Sequence, residues 1–234
     1  MSKIKIPNVK ALIFMKGNSE RIPNKNLKTI CGKPLFFHIA DKLKKTNLFD
    51  NLVINTDSNE IISLANDRYK SWVTIIERPH NLRGDNVSMN SIIEHDLSVM
   101  GFENDYFQTH STNPLLETHT IKKAVKEFYE NKRNFNVESI FSVTPFKKRL
   151  YDHNLKPINH NPKKLEQTQN LKLTFEENSN FYIFSGKSFL DNNHRIGKKS
   201  KFFIMNQETF ESLDIDEKND WNLAEILLNL QEHV

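Results

Sequence analysis

Apolar positions along this chain fall into two repeating patterns. Residues 11–15, Ala-Leu-Ile-Phe-Met, form an uninterrupted apolar run, as expected of a short strand covered on both faces. Apolar runs at 51–55, 73–77, 106–109 and 139–143 read as further strands. Between them the spacing is helical. Leu35, Phe36, Ile39 and Leu43 share one face, and Lys42, Lys44 and Lys45 the wet one. Asp57 and Glu60 have capping-box spacing for a helix over 59–69. Helical patterns follow at 88–100 and at 117–131, where Ile121, Val125 and Phe128 turn inward. This alternation predicts an α/β fold, a mostly parallel open sheet with helices on both faces. Each strand is followed by a polar loop, at Lys16, Asp57, Arg78, Ser111 and Thr144. The architecture gathers such loops at one edge, where ligands bind.

The pattern fails over residues 146–178, which carry Pro157, Pro162, several Asn and several Lys. Leu150, Tyr151, Leu155, Ile158, Leu165, Leu171 and Leu173 are too many apolar residues for a free linker, so the stretch is expected to be an arm packing on a second subunit. Strands resume at 181–184 and 202–205, with a helical turn at 187–190. A terminal helix over 217–230 turns Trp221, Ala224, Leu227 and Leu228 inward. At 234 residues this is one domain with an insertion.

The net charge of +4 suits anionic small molecules as well as nucleic acid. The basic residues are dispersed, without the continuous basic helix or interleaved aromatics of nucleic-acid modules, so no nucleic-acid partner is expected. Cys31 is the only cysteine, which rules out an internal disulfide and a cysteine metal cluster and makes a reducing cytoplasm the default. The first ten residues lack the apolar core of a secretory signal, and no apolar run approaches the ~20 residues of a membrane helix, so no membrane partner is expected.

Two segments carry candidate chemistry. Residues 11–27 begin as a strand and break at Gly17 into a loop bearing Lys16, Arg21 and Lys25, with Asn18, Ser19 and Asn26 as hydrogen-bonding groups and Pro23 as a stiffener. A buried strand ending in a cationic loop is a common phosphate seat in open α/β sheets; a solvated surface loop has the same composition. Asp214 and Asp216 alternate around Ile215, and in an extended segment both carboxylates point the same way. Mg²⁺ favours one or two carboxylates completed by phosphate and water; the competing role for Asp216 is to cap the terminal helix. Arg78, His110 and the alternating Asn178, Asn180 and Tyr182 are further candidates, each with a purely structural alternative. No P-loop and no G-x-G-x-x-G is present.

Taken together, these residues resemble the acylneuraminate cytidylyltransferase family, the CMP-sugar synthetases that include CMP-sialate and CMP-Kdo synthetases. The family loop A-R-x-x-S-K-x-I-P-x-K-N (Leu also standing for Ile) is matched by residues 15–26, with Ser19, Ile22, Pro23, Lys25 and Asn26 in place and Lys16 at the Arg position. Cys31 to Leu35 matches its G-K-P-L step, 49–57 its strand ending in Thr-Asp, Arg78 to Asp85 its R-P-x-x-L-x-x-D, Thr112 to Leu115 its T-S-P-L, and 212–220 its paired-aspartate ending. The match spans nearly the whole chain. It implies a Rossmann-like, nucleotide-diphospho-sugar transferase-like fold with a dimerisation arm inserted after about residue 145, and transfer of CMP from CTP to an acidic sugar with release of pyrophosphate, for cell-surface polysaccharide synthesis. By the resemblance, Lys16, Ser19 and Lys25 hold the CTP phosphates and ribose. Asn26 and Arg78, with the backbone near Val87 and Ser88, read cytosine. Asp214 and Asp216 bind Mg²⁺, Asn178 and Tyr182 line the acceptor pocket, and the arm is exchanged within a homodimer.

The chain also departs from the family pattern. Lys16 stands where Arg is usual, keeping the charge and losing the bidentate fork. Glu20 stands where a basic residue is usual, with Arg21 beside it to compensate. His110 replaces a Gln that contacts sugar in sialate enzymes, and Gln169 and Glu176 replace arginines near the acceptor. Two other functions are therefore weighed: CTP-dependent activation of another small acceptor, such as a phosphonate or polyol phosphate, and nucleotide binding without turnover.

Overall fold

A computed structural model of the chain describes residues 9–232. Its elements in chain order are β1 (Val9–Met15), β2 (Thr29–Ile30), β3 (Lys33–Pro34), α1 (Leu35–Thr46), β4 (Phe49–Thr56), α2 (Asn59–Tyr69), β5 (Val73–Glu77), α3 (Met89–Met100), β6 (Asp105–Thr109), α4 (Thr118–Phe135), β7 (Ser139–Phe146), β8 (Thr174–Ser185), α5 (Gly186–Asn192), β9 (Ser200–Ile204) and α6 (Lys218–Glu232). Seven strands form one sheet in the order β5-β4-β1-β6-β8-β7-β9, while β2 and β3 make a small separate ribbon. Strands β5, β4, β1 and β6 are mutually parallel. Strand β8 runs antiparallel to both β6 and β7, so it alone opposes the rest, and β9 returns parallel to β7. Met15, Thr56, Glu77 and Thr109 therefore end at one edge of the sheet, the edge expected from the polar loops.

The sheet is covered on both sides. Ala11, Ile13 and Met15 of β1 join Phe36, Ile39 and Leu43 of α1 and Ile121, Val125 and Phe128 of α4 in one core. Leu12 and Phe14 face the other way, toward Ile93 and Leu97 of α3 and Phe189 of α5. A third cluster packs Trp221, Ala224 and Leu228 of α6 on Ile22, Ile30, Leu35, Leu115 and Ile215. Helix α6 thereby clamps the loop after β1 and the segment before itself against the loop after β6. Each such buried side chain is worth about 1.5–3 kcal/mol, more than an exposed ion pair at about 0–1 kcal/mol. Apolar packing, more than surface charge, sets where these loops lie.

Three local expectations are corrected. Asp57 does not cap α2; the Ser58 side chain accepts from Ile61 N at 3.4 Å, and Asp57 is turned toward Gly17. Residues 174–178 are not irregular but extend β8, leaving a connection of residues 147–173 between the two strands, with a single bridge at Tyr151 and Pro157. Alternation across Asn178, Asn180 and Tyr182 is broken by a bulge. Between the pairs Phe141–Tyr182 and Val143–Glu177, β7 advances two residues and β8 five, and Ser179 takes φ 55°. The three side chains therefore diverge. Asn180 is buried, donating to Glu211 O, Tyr182 packs in the second core, and Asn178 donates to Thr144 Oγ1.

Arg78 is the largest fully buried side chain, at 2% exposure. Its Nε donates to Asn55 Oδ1 at 2.6 Å, and Nη2 donates to Met15 O at 3.2 Å and Asn55 O at 3.3 Å. Asn55 in turn donates to the buried Asp96. Arg78 thus ties the ends of β1 and β4 together. Arg78→Met should lower unfolding stability by about 2–4 kcal/mol in urea denaturation, since buried partners lose a charged donor; a loss under about 0.5 kcal/mol would contradict this role.

Candidate active site

At the sheet edge a cleft of about 580 Å³ is lined by the loop after β1, including Lys16, Ser19, Glu20, Arg21, Lys25 and Asn26, and by Asp57, Asp85 and His110–Thr112. The loop is fixed at three points. Gly17 N donates to Asp57 Oδ1 at 2.7 Å. A Cβ on Gly17 would come to 3.1 Å from Ser58 Cβ, so the absence of a side chain permits the approach. Asn26 is buried, its Nδ2 donating to Lys16 O at 2.9 Å and its Oδ1 accepting from Ser111 Oγ at 2.6 Å. Asn26 therefore links the loops after β1 and β6, with its side-chain amide engaged at both ends.

The third point is Lys25. Its ammonium, on a side chain only 12% exposed, donates to Ile215 O at 2.7 Å and pairs with Asp216 Oδ1 at 3.5 Å. Arg21 Nη1 lies 3.3 Å from the other oxygen, Asp216 Oδ2. Ile215 N donates to Thr112 O at 2.9 Å, completing the join between the segment 213–216 and the β6 loop. Asp216 does not cap α6; the Asp220 carboxylate accepts from Asp216 N at 3.0 Å and Glu217 N at 2.8 Å, leaving the Asp216 carboxylate to the cleft cations.

Lys16 forms an exposed ion pair with Asp85, and the ammonium holds the Asp85 carboxyl below its usual range. Glu20 lines the cleft beside this pair, while Arg21 faces Asp216. Each cleft cation already has an anionic partner.

A second cavity, also about 580 Å³, is lined by Glu176, Glu177, Asn178, Ser179 and Asp214 among others. It adjoins the first, because Thr112 lines the cleft and its side chain lowers the Asp214 pKa by hydrogen bonding. Burial, and then the charge of Asp216, nevertheless raise the Asp214 pKa above the ordinary carboxylate value. Asp214 Oδ1 is buried without a hydrogen-bond partner. An orphaned carboxylate oxygen beside a second carboxylate fits a divalent cation. Among the described residues there is no group of three or more His, Cys, Asp or Glu that could hold a metal, so such an ion would draw its remaining ligands from phosphate or water, as Mg²⁺ favours.

The expected site residues thus separate. Lys16, Ser19, Arg21, Lys25, Asn26 and His110 line one cleft, and Asn178 and Asp214 the next cavity. Arg78 lines neither and is buried below the strand ends; Val87 is half-buried, and Ser88 caps α3 by accepting from Ser91 N at 3.1 Å. Tyr182 is buried, with its hydroxyl donating to Glu177 and within 3.1 Å of Ser179 Oγ. Sequence reasoning missed Asp85, Gln108 and Arg195. Asp85 had a signal, as the last residue of a motif already recognised; the other two are joined to the site only by the sheet and its loops.

His110 and His38 are pushed down to about 4, in each case mainly by burial; Arg195 and Lys25 add to the effect at His110. Both folded values lie below the ordinary 6.5, so the unfolded chain binds more protons between those pH values. Their contribution to stability is complete above about pH 6.5 and is lost as pH falls toward 4. In an NMR titration the His110 and His38 ring resonances should stay flat from pH 8 to about 5; a midpoint near 6.5 for His110 would contradict its burial.

Comparison with known proteins follows the same lines. Residues 10–233 match the sequence profile of a family described as cytidylyltransferase. Pseudaminic acid cytidylyltransferase of Campylobacter jejuni is 24% identical over 222 residues, covering 92% of this chain and 94% of that protein. The CMP-N,N'-diacetyllegionaminic acid synthase of Legionella pneumophila is 27% identical over 234 residues, covering 95% and 97%. Among solved structures, a CMP-2-keto-3-deoxy-manno-octonic acid synthetase complexed with CTP superimposes with a TM-score of 0.65 at 10% identity, over 96% of this chain and 99% of the other. At that identity the likeness concerns the fold.

Proposed function

We propose that this chain, which belongs to the cytidylyltransferase family, transfers CMP from CTP to an acidic sugar of the nonulosonic type and releases pyrophosphate. The observation that carries the reading is the convergence of Lys16, Arg21 and Lys25 on one cleft, with the Asp214–Asp216 pair at its side. The relatives' names supply the acceptor class: pseudaminic and diacetyllegionaminic acids are both acidic sugars.

In this reading the triphosphate exchanges places with the carboxylates that now hold the cleft cations. Lys16, Arg21 and Lys25 neutralise phosphate oxygens, and Ser19 and Asn26 border the nucleoside. Asp214 and Asp216 would hold Mg²⁺, which would shield phosphate charge and polarise an attacking oxygen. An acceptor hydroxyl attacks the α-phosphorus in line, its proton passes to solvent, and the bond from the α-phosphorus to the oxygen it shares with the β-phosphate breaks, releasing pyrophosphate. The protein's work is to orient two anionic reactants and balance the charge that develops between them. Cytosine recognition through Arg78 would be indirect, through the strand ends it fixes.

One feature of the site favours a second acceptor class. Glu176 and Glu177 border the cavity beside Asp214, where a bound acid meets like charge. That wall favours an acceptor presenting hydroxyl or amide groups there, such as a polyol phosphate. The 147–173 connection is assigned as an arm between two subunits, supported by the exposure of Leu155 at 83% and Leu165 at 95%. The cytoplasm, where CTP is available, is the assigned location; no helix among the described residues is long and apolar enough to cross a membrane.

Pyrophosphate release should require CTP, Mg²⁺ and an acceptor drawn from pseudaminic, diacetyllegionaminic, N-acetylneuraminic and Kdo acids. Chelation with EDTA should abolish it, and Asp216→Ala should lower it at least about 100-fold with the circular dichroism spectrum unchanged. Absence of release across that panel, extended to phosphonates and polyol phosphates, would sink the reading.

A further inference from the structure

Arg195 lies in the loop after α5. Its Nη1 donates to Gln108 Oε1 at 3.1 Å, and its guanidinium centre stands 3.5 Å from the Tyr182 ring centroid. Both contacts are neutral. Among the described residues no carboxylate comes within ion-pair distance of it; Glu177, whose charge acts on it from farther away, accepts from the Tyr182 hydroxyl. Burial disfavours its charged form and pushes its pKa down. A partly desolvated guanidinium whose direct contacts are neutral, with its one carboxylate beyond ion-pair distance, gains from a closer anion.

Two further groups point the same way. Because Gln108 Oε1 accepts from Arg195, the amide orientation is set, and Gln108 Nε2 is left buried with no acceptor. His110, two residues on along the same face, has Nε2 buried without a partner. Gln108 and Tyr182 stand directly opposite in the β6–β8 ladder. His110 lines the nucleotide cleft, while Glu177 and Ser179, both at the Tyr182 hydroxyl, line the second cavity. The cluster is therefore flanked by both cavities, with His110 on the wall of the first, Gln108 buried behind the walls and Arg195 half-buried against it.

We propose that Arg195, Gln108 and His110 form an anion subsite that takes the acceptor's carboxylate and so orients its hydroxyl toward the nucleotide. The guanidinium supplies charge, the Gln108 amide a fixed N–H donor, and the neutral imidazole a third polar contact. Asn178, on the far side of the bulge, is left to the neutral part of the acceptor. Arg195 and Gln108 are thus specificity-determining residues for the acceptor and take no part in holding CTP. This rests on the reading of the cleft as a CMP-transfer site.

The test is calorimetric binding of pseudaminic, diacetyllegionaminic, N-acetylneuraminic and Kdo acids, each beside its C1-reduced alcohol, to CTP-loaded protein with metal chelated so that no transfer occurs. At least one acid should bind roughly 30-fold or more tightly than its alcohol, the range of a lost charge-assisted contact. Arg195→Met should erase that discrimination and Arg195→Lys restore part of it. Gln108→Glu, which is isosteric and gives Arg195 an internal carboxylate, should also erase it while CTP affinity stays within about twofold. Equal binding of acid and alcohol, no binding of any acid, or full discrimination in Arg195→Met and Gln108→Glu would overturn the proposal. Failure of CTP to bind the wild type would instead count against the cleft reading, since acid binding at Arg195 can be measured without nucleotide.

Discussion

Much of this molecule's active edge depends on one part-buried contact, the donation of Lys25 Nζ to Ile215 O with Asp216 beside it. It joins residues nearly two hundred positions apart. Lys25 sits in the first loop and Asp216 in the segment leading into the last helix. Ile215 and Ile22 share the apolar cluster under α6, so the contact is held by packing as well as by charge. A long ammonium stem in an apolar seat, with its charged end at a carboxylate, is an arrangement that can change partners without changing shape.

That arrangement explains how a cleft rich in cations stands stable before any ligand arrives. Lys16 rests on Asp85, and Arg21 and Lys25 share Asp216. Mutual neutralisation lowers the self-repulsion of three basic side chains on one loop. In the proposed reaction, phosphate oxygens replace the carboxylates and Asp216 becomes available to a metal. Glu20 lies at the cleft wall beside Asp85 rather than turned away, and its side chain meets the Asp85 carboxyl rather than a cleft cation.

Local pattern carried most of the fold. The run ending at Met15, the helical spacing from Leu35 and the inward face of α4 all became elements where expected. These depend on neighbours along the chain. What escaped depends on partners across it. Strand β8 runs against the others and bulges at Ser179, and no periodicity announces a bulge, so alternation puts Asn178, Asn180 and Tyr182 on one face where the structure gives each a separate set of partners. Ser58 outcompeted Asp57 as a cap because Asp57 was needed at Gly17, forty residues earlier. Arg195 gave no signal in a loop of polar residues; its meaning comes from Gln108 and Tyr182, brought opposite each other by the antiparallel β6–β8 ladder. The cationic loop and the aspartate pair were legible because their residue types are unusual at that spacing, whereas their mutual pairing was not.

In the proposed reading this cleft holds CTP through the loop after β1. Isothermal titration of CTP into the protein with Mg²⁺ tests it most directly, with Lys25→Met measured alongside. One saturable site per chain is predicted, weakened at least about 10-fold in Lys25→Met by loss of a charge-assisted contact. No saturable heat with the wild type, or equal affinity in the variant, would contradict it.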